Sequence, residues 1–353
     1  MEASEAQSLL LELAKTVNRF GLPYMLRLQK TYKTGWDEMI RGYLETTTMH
    51  ALLNVGLIDE MQKQPSVELA DFAARHNLEL TVLQPLCEAF YCLGMFERSN
   101  GGFTLSEKGR NIVEVMRGWL EVCYGYGEVF HSLEPLMRKE KVYGRDFYRR
   151  SDFVARGSGE MENLLFFPMV NDIIIANGYK RVLDLGCGDG TFLRTLCGLN
   201  PNVECYGIDL APQAVEEGNR VLQETGLDSR VHLMALDISK IEQAPLPQID
   251  AATIFFVLHE LLFFGEDVLL NFLKNFRRLF PNAPLIAFEA VRPPVEDLRR
   301  HPGISVYYFL YHDLTQQRPV DAAKWKQLFR AAGFKSIEER QLDFAKAAIY
   351  TLK

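Results

Sequence analysis

The sequence has little of what secreted or membrane-spanning proteins need. Its six cysteines form no Cys-x-x-Cys pair, and a chain of 353 residues can bury a large core without disulfide bonds. No run of eighteen uninterrupted apolar residues occurs, and Met1-Glu-Ala-Ser-Glu5 is acidic where a signal peptide has a basic region. These absences predict a cytoplasmic protein that does not engage a membrane.

Positive charge is also scarce. The formal net charge is -7, and no dense Lys/Arg run offers a local patch that could hold a phosphate backbone. We therefore expect no nucleic-acid partner. What the chain does have is 48% hydrophobic and 24% charged residues, which is typical of a globular protein, and a length that suits two domains.

Residues 1–150 have mainly helical patterns and are predicted to form the first domain. Apolar residues recur at three- and four-residue spacing in Leu9–Ala14 and again in Met39–Leu57. Two further helical patterns, Val67–His76 and Leu80–Leu93, are followed by two short strand patterns around Asn100-Gly101-Gly102, a hairpin turn signal. Helix, helix and hairpin in this order predict a winged helix, with Pro65-Ser66 as the cap of its first helix.

Winged helices often bind DNA, which makes a DNA-binding ligand sensor one alternative for the whole chain. A helix that reads the major groove needs basic or amide side chains, yet Leu80–Leu93 has no Lys or Arg and few polar groups beyond Thr81, Gln84 and Glu88. The composition favours packing or dimerisation for this helix.

Residues 151–353 follow a different pattern and are predicted to form a second, α/β domain. Short β-branched runs alternate with helical patterns, as in a parallel sheet with crossover helices. The last two runs have no helix between them and should pair as an antiparallel hairpin at the sheet edge. The seven predicted strands are Arg181–Leu185, Glu204–Leu210, Val231–Leu236, Ala251–Leu258, Pro284–Ala290, Ser336–Leu342 and Ala347–Leu352. The segment Tyr143–Tyr179 is interpreted as the link between the two domains.

A glycine-rich turn follows the first of these strands, in Leu183-Asp-Leu-Gly-Cys-Gly-Asp-Gly190. Glycines at 186, 188 and 190 let the backbone approach a ligand where a Cβ atom would clash, and a helix is expected from about Thr191. Asp209 ends the next strand, 23 residues after Gly186, where its carboxylate can accept both hydroxyl groups of a ribose. The spacing departs from the G-x-G-x-x-G of nicotinamide dinucleotide sites, so the pattern predicts a different nucleoside.

The stretch from Arg181 to Lys353 resembles a class I S-adenosylmethionine-dependent methyltransferase with a Rossmann-like fold. The preceding half resembles the dimerisation domain of small-molecule O-methyltransferases from plants and bacteria. The resemblance implies S-adenosylmethionine as the cofactor, a small-molecule natural-product precursor as the acceptor, and a homodimer. It implies that Asp184 orients the methionine end of the cofactor and that Asp237 meets the adenine amino group. Other residues expected at the cofactor are Leu210, Ile238 and Phe255.

The fourth predicted strand ends in Phe255-Phe-Val-Leu-His-Glu260, which places His259 at the carboxyl edge of the sheet. In the O-methyltransferases that the chain resembles, a Leu-His-Asp at this position supplies the general base, and an imidazole with a pKa of about 6.5 suits that task. Glu260 stands where that family has Asp. Glu289, at the end of the fifth strand, is predicted either to orient His259 or to be an ordinary loop carboxylate.

His259 and a second histidine, His312, also make the chain similar to the α-keto acid C-methyltransferases. In those enzymes two histidines hold a non-haem metal, such as iron, that chelates the keto acid. By that resemblance both residues are metal ligands. Phe256 stands where a methionine ligand is known and cannot replace it, so water, substrate or Asp313 would complete the site. The metal would favour the enolate whose β-carbon takes the methyl group, and either a metal-bound hydroxide or Glu260 would serve as base.

The main alternative is a metal-independent O-methyltransferase in which His259 alone is the base. Several other residues are weaker candidates for the site. Arg292 either pairs with a substrate carboxylate or faces solvent, and the glycine-containing segments Tyr124–Glu128 and Arg156–Glu160 have the composition of a lid. Aromatic and basic residues that could line the pocket are Trp36, Arg41, Tyr43 and Trp119.

Overall fold

The structure, a computed structural model, describes residues 12 and 14–353 and divides the chain into two compact units, Met1–Met116 and Arg117–Lys353. The predicted helical spacing in Leu9–Ala14 lies largely outside the described residues. The domain boundary expected near residue 150 falls inside the second unit, and the division into a dimerisation part and a catalytic part at that point stays a prediction.

The first unit is mostly helical, as predicted. Residues 14–20 are helical. The helices and strands that follow are α1 (Leu22–Tyr32), α2 (Trp36–Asn54), α3 (Leu57–Lys63), α4 (Leu69–His76), α5 (Leu80–Cys92), β1 (Phe96–Ser99) and β2 (Gly102–Leu105). Helix α6 (Glu107–Gly125) runs on into the second unit.

The β1–β2 hairpin forms where the turn signal predicted it. Asn100 and Gly101 both have positive φ angles, 48° and 82°, as a two-residue hairpin turn with matching twist requires. The predicted helix cap at Ser66 was wrong. Glu68 caps α4 by accepting the backbone N–H groups of Ala70 and Asp71, while the Ser66 hydroxyl donates to the carbonyl of Ser99.

The second unit has the predicted alternation of strands and helices. After α6 come α7 (Gly127–His131), α8 (Leu133–Met137), α9 (Ser151–Leu165), α10 (Phe167–Ala176), β3 (Arg181–Leu185), α11 (Thr191–Leu199), β4 (Glu204–Asp209), α12 (Pro212–Thr225), β5 (Val231–Ala235) and β6 (Ala251–Phe255). The remaining elements are α13 (Leu258–Phe263), α14 (Glu266–Leu279), β7 (Leu285–Ala290), α15 (Val295–Arg300), α16 (Ile304–Leu314), α17 (Ala322–Ala331), β8 (Ile337–Leu342) and β9 (Ala347–Leu352).

The seven strands β3 to β9 form one sheet in the order β5-β4-β3-β6-β7-β9-β8. The first five are parallel, and β9 pairs antiparallel with both β7 and β8, which confirms the predicted Rossmann-like sheet and its terminal hairpin. Neighbouring strand residues such as Val182 and Leu183 belong to different apolar clusters, so the sheet is covered on both faces.

The strand order reverses between β3 and β6. The chain builds outward from β3 through β4 to β5, then crosses back to place β6 on the other side of β3. Ligands of open parallel sheets bind in the crevice beyond the carboxyl ends of the strands at such a point. The fold therefore brings the turns after β3, β4 and β6 to one edge.

The segment interpreted as a link, residues 143–179, instead contributes two helices, α9 and α10, to the second unit. The prediction was wrong because the glycines of this segment were interpreted as loop residues. A Cβ atom on Gly157 would lie 2.4 Å from the carbonyl oxygen of Gly118, so this glycine allows close approach of α9 and α6 and does not mark a flexible loop. No described helix is both long and apolar enough to cross a bilayer.

Candidate active site

The turn after β3 is built from glycines with left-handed backbone. Gly186, Gly188 and Gly190 have φ angles of 83°, 54° and 74°, and Gly190 is the N-cap of α11, which begins at Thr191 as predicted. A Cβ atom on Gly186 would lie 2.7 Å from the side chain of Val257. Both the conformation and the close packing explain why glycine is needed here.

Asp209, at the end of β4, ties this turn to the neighbouring strand. Its Oδ2 atom accepts the N–H of Gly188 at 2.8 Å, and Oδ1 accepts the N–H of Ala211 at the same distance. Asp209 and Leu210 line the cavity described below. A carboxylate has lone pairs beyond these two bonds, so Asp209 can still accept hydroxyl groups of a ligand.

Asp184 lies beneath the same turn and is almost completely buried, with 2% of its surface exposed. The Thr253 hydroxyl donates to its Oδ1 at 2.7 Å. Burial raises the pKa of Asp184 to about 7, against the lowering effect of the Thr253 hydrogen bond and with a smaller upward contribution from Asp209. This acid therefore changes charge near neutral pH.

Asp237 has a structural partner. Strand β5 ends at Ala235, one residue earlier than predicted, and Asp237 caps the 3₁₀ helix Ile238–Gln243 by accepting the N–H of Ser239. Ile238 is buried against the core. Neither residue is among those that line the cavity, and their contact with the adenine stays a prediction.

A cavity of about 730 Å³ lies at the carboxyl edge of the sheet, within the range of small-molecule sites. Its wall is largely apolar and comes from the ends of β4, β6 and β7 and from helices α6, α9, α13 and α16. Residues along this wall include Trp119, Tyr126, Arg149, Glu162, Phe166, Asp209, Leu210, Phe255, Phe256, His259, Glu260, Tyr308, Tyr311 and His312.

The backbone turns sharply where the fourth predicted strand was expected to continue to Leu258. Strand β6 ends at Phe255, and Phe256 has a φ angle of 54°, which is uncommon for a bulky residue. This turn starts the short helix α13, so His259 lies in the first turn of a helix and not in a strand. It still projects from the carboxyl edge into the cavity wall.

His259 is held by a fully buried carboxylate. Its Nδ1 atom lies 2.9 Å from Oε2 of Glu289, whose Oε1 accepts the backbone N–H groups of Leu258 and His259. Burial disfavours a charged imidazole, but the negative charge and hydrogen bond of Glu289 outweigh it, so the pKa of His259 lies above its ordinary value of 6.5. Glu289 thus contacts His259 as the first of the two predicted alternatives requires, and its role in orienting a base stays a prediction.

His312, from α16, faces His259. The two ring centroids are 5.1 Å apart at an angle of 73°. Nδ1 of His312 lies 2.7 Å from the carbonyl oxygen of Tyr308, which can only accept, so Nδ1 has the proton. Burial and the neighbouring His259 lower the pKa of His312 to about 3. The ring is therefore neutral at physiological pH, with a lone pair on Nε2.

A charged network that the sequence reasoning missed lies beside the two histidines. Arg149 donates to Oε1 of Glu260 at 3.0 Å, to the Tyr126 hydroxyl at 2.7 Å and to Oε1 of Gln317 at 2.6 Å. Gln317 also donates to Glu260. No local pattern around Arg149 marks it, because its partners are distant in sequence.

Other predicted residues lie elsewhere. Asp313 forms an ion pair with Arg292 at 2.7 Å and does not line the cavity, so neither side chain is directed at a ligand there. Trp119 lines the cavity, whereas Trp36 and Arg41 line an apolar groove of the first unit, on α2, which also contains Tyr43. Residues 124–128 end α6 and begin α7, and 156–160 lie within α9.

The pair of histidines is the most metal-like set of donors at the cavity. Across residues 12 and 14–353 no group of three or more His, Cys, Asp or Glu side chains is arranged to hold a metal ion. Each histidine nevertheless has its Nδ1 atom engaged by an oxygen acceptor, which is the usual outer-shell arrangement of a histidine ligand. The residues present can supply two nitrogen donors.

The chain is similar to known methyltransferases in sequence and in fold. A family model described as "Methyltransferase domain" matches residues 183–282. The chain is 28% identical to 2-ketoarginine methyltransferase from Streptomyces arginensis, over 86% of this chain and 89% of that protein. It is 26% identical to methyltransferase ungE' from Aspergillus campestris, over 70% and 72% of the two chains. The solved structure of human N-acetylserotonin methyltransferase with S-adenosylmethionine shares the fold, with a TM-score of 0.62, 18% identity and coverage of 92% and 98%.

Proposed function

We propose that this chain, which is a class I S-adenosylmethionine-dependent methyltransferase, transfers the methyl group to the β-carbon of an α-keto acid. The observation that carries the proposal is the pair of buried imidazoles, His259 and His312, which face each other at the cavity. The name of the relative from Streptomyces arginensis, which acts on a keto acid, supports the same class of acceptor.

The neutral state of His312 matters to this proposal. A general base needs one imidazole, so a second imidazole kept neutral by burial has no role in a simple proton transfer. The ring of His312 can donate a lone pair from Nε2, because its proton is on Nδ1, which donates a hydrogen bond to the Tyr308 carbonyl. His259, oriented by Glu289, presents the same nitrogen.

We assign these two nitrogens as ligands of a transition-metal ion such as iron, with the remaining positions left for water and substrate. Such an ion, when bound, supplies charge that stabilises the enolate form of a keto acid. The proposal assigns Asp313 no role as a ligand because Arg292 holds its carboxylate. Phe256 packs near the site but offers no donor.

The chain's own residues would bind and deprotonate the acceptor. Arg149 is largely buried and always charged, so we assign it to the acceptor carboxylate, with Tyr126 and Glu260 fixing its orientation. Glu260 is the carboxylate within this network and also lines the cavity, so it is our candidate for the base that removes the β-proton. The apolar wall would enclose the rest of the acceptor and exclude water, and the methyl group would then pass in line from sulfur to carbon.

Exchange of β-protons with deuterium tests this chemistry without methyl transfer. The protein is incubated in D₂O with a panel of α-keto acids and no cofactor, and β-hydrogen loss is followed by NMR. Wild type should catalyse exchange, Glu260→Gln should not, and Glu266→Gln, an exposed change on α14, should behave as wild type.

Products formed with labelled cofactor from keto acids and phenols are then identified by mass. Methylation of phenols alone, with no β-exchange, would contradict the proposal.

Metal content is tested separately. Purified protein should contain close to one equivalent of a transition metal, which both His259→Ala and His312→Ala should lose and which His301→Ala, an exposed control, should retain. Full activity after chelation, in protein without metal by elemental analysis, would remove this part of the proposal.

A second candidate function is metal-independent O-methylation. It is favoured by the His259–Glu289 pair, since an imidazole whose pKa is raised by a buried carboxylate is a competent base for a hydroxyl group. In that case His259→Ala should abolish activity and His312→Ala should leave most of it.

The homodimer implied by the sequence resemblance is also a proposal. Helix α2 exposes large apolar side chains, including Met39, which is 80% exposed, and Tyr43, which is 61% exposed. Exposed apolar patches of this kind often mark protein–protein interfaces. We expect light scattering after gel filtration to give twice the chain mass, and Met39→Glu combined with Tyr43→Glu to give monomer. A wild-type monomer would refute it.

A further inference from the structure

Glu162 lies in the last turn of α9, three residues before the helix ends at Leu165, with its side chain on the wall of the cavity. In the described part of the chain it forms no side-chain hydrogen bond and no ion pair. Neighbouring acids on α9 differ, because Asp152 pairs with Arg150 and Glu160 with Arg117. Glu162 is thus a partly buried carboxyl group at a ligand cavity. No described residue of the protein supplies it with a hydrogen-bond donor or a positive charge.

The surroundings of Glu162 are acidic. The titratable groups that act on it are Asp184 from β3, Glu289 from β7 and Tyr308 from α16. None of them supplies positive charge. Arg149, on the same cavity wall, pairs with Glu260, and Arg156, on the same helix, pairs with Glu121. Burial, together with Asp184 and Glu289, raises the pKa of Glu162 well above its ordinary value.

The position relative to Asp184 identifies the cation that would fit. Asp184 is the second-last residue of β3, two positions before Gly186 of the glycine turn, where the methionine end of the cofactor is expected. Its negative charge acts on Glu162. S-adenosylmethionine has two positive groups at that end, an α-ammonium group and the sulfonium. An ammonium group has three N–H donors and no acceptor, so it needs carboxylates or carbonyls around it.

We propose that Glu162 binds the α-ammonium group of S-adenosylmethionine, opposite the glycine turn. The proposal rests on the family assignment alone and does not depend on which acceptor is methylated. Its physical basis is that a carboxylate among other acids is unfavourable until a cation arrives, so the cavity selects a positively charged cofactor. Since an empty site favours the protonated acid, cofactor binding should release protons.

Isothermal titration calorimetry with cofactor and no acceptor tests this. Titrations of the full chain near neutral pH, in phosphate and in Tris, give both Kd and the number of protons released. S-adenosylhomocysteine is titrated in parallel, because it has the same ammonium group and a neutral sulfur. The variant is Glu162→Gln, and the matched control is Glu160→Gln, on the same helix but exposed and paired with Arg117.

We expect Glu162→Gln to weaken both ligands by about 10-fold or more, as loss of a charged hydrogen bond does, and to reduce proton release. Glu160→Gln should match wild type. Unchanged Kd and proton release in Glu162→Gln would overturn the proposal, as would weakened binding of S-adenosylmethionine alone, which would assign Glu162 to the sulfonium. Unchanged cofactor binding with a raised KM for a cationic acceptor would overturn it in favour of substrate recognition. Thermal unfolding of the free variant checks that it is folded.

Discussion

The carboxylate of Glu289 contacts His259 twice, through the imidazole Nδ1 at 2.9 Å and through the backbone N–H of the same residue at 3.3 Å. One fully buried side chain therefore sets both the position and the basicity of the imidazole. The arrangement also fixes the tautomer, since a carboxylate accepts the Nδ1 proton and leaves Nε2 toward the cavity.

Glu289→Gln should lower activity by about 10- to 100-fold, as loss of an outer-shell partner of a histidine does. In the metal-independent mechanism, where His259 is the base, its raised pKa places the acidic limb of the kcat/KM profile above pH 6.5, because protonation removes the functional form. Without the carboxylate the pKa falls and the limb moves to lower pH. Profiles of both proteins and of the exposed control Glu266→Gln check this, and an unmoved limb would show that His259 is not the titrating group.

Arg149→Gln should raise the KM for an anionic acceptor by about 10- to 100-fold, because a largely buried guanidinium contributes charged hydrogen bonds. Its neighbour Arg150 is exposed and pairs with Asp152, outside the cavity wall. Arg150→Gln should therefore leave KM unchanged. Steady-state kinetics and cofactor titrations of both variants are needed, since equal effects of the two changes on KM would point to loss of general charge and not to a specific contact.

Gly218→Ala should weaken cofactor binding although α12 does not line the cavity. A Cβ atom there would lie 2.4 Å from the carbonyl oxygen of Asp189, so the helix must move away from the glycine turn. We expect a loss of about 1–3 kcal/mol in the free energy of unfolding, as overpacking costs. Gly198→Ala, on α11 with nothing within 4 Å of the added atom, should instead stabilise by about 0.5–1 kcal/mol. Urea denaturation and cofactor titration measure both effects, and a Gly218→Ala protein as stable as wild type would contradict the packing argument.

Asp184→Asn should change how stability depends on pH. The folded-state pKa of Asp184 is about 7 and its ordinary value is 3.8. An acid with a raised folded pKa favours the folded state fully below its unfolded pKa and loses that contribution as pH rises through the folded pKa. The wild type should therefore lose about 1–3 kcal/mol relative to Asp184→Asn between pH 5 and pH 8. Urea denaturation of both proteins at pH 5 and at pH 8 measures this. If the difference in unfolding free energy between wild type and Asp184→Asn is the same at both pH values, Asp184 does not titrate in this range.

Much of the catalytic fold could be predicted from the sequence because its strands are short apolar runs separated by helices. The sequence could not show that β6 ends at Phe255, since Phe256 looks like one more strand residue and only tertiary packing holds its left-handed backbone. Nor could it show α9, because Gly157 reads as a loop signal until its contact with Gly118 is seen. Glycine spacing and the acid at the end of the second strand placed Gly186 and Asp209 together. Arg149 gains its meaning only from partners distant in sequence, and Glu162 only from its place on the cavity wall.

The placement of β9 has a consequence for how the molecule matures. All six residues of β7 are buried, and one side of this strand is covered only by β9, a neighbour from some sixty positions later in the chain. Before the β8–β9 hairpin docks, β7 is an unpaired apolar edge strand that can pair with a second, incompletely folded copy of the chain. Changes that delay docking of the hairpin should therefore show first as aggregates during expression, with the surviving native molecules fully active.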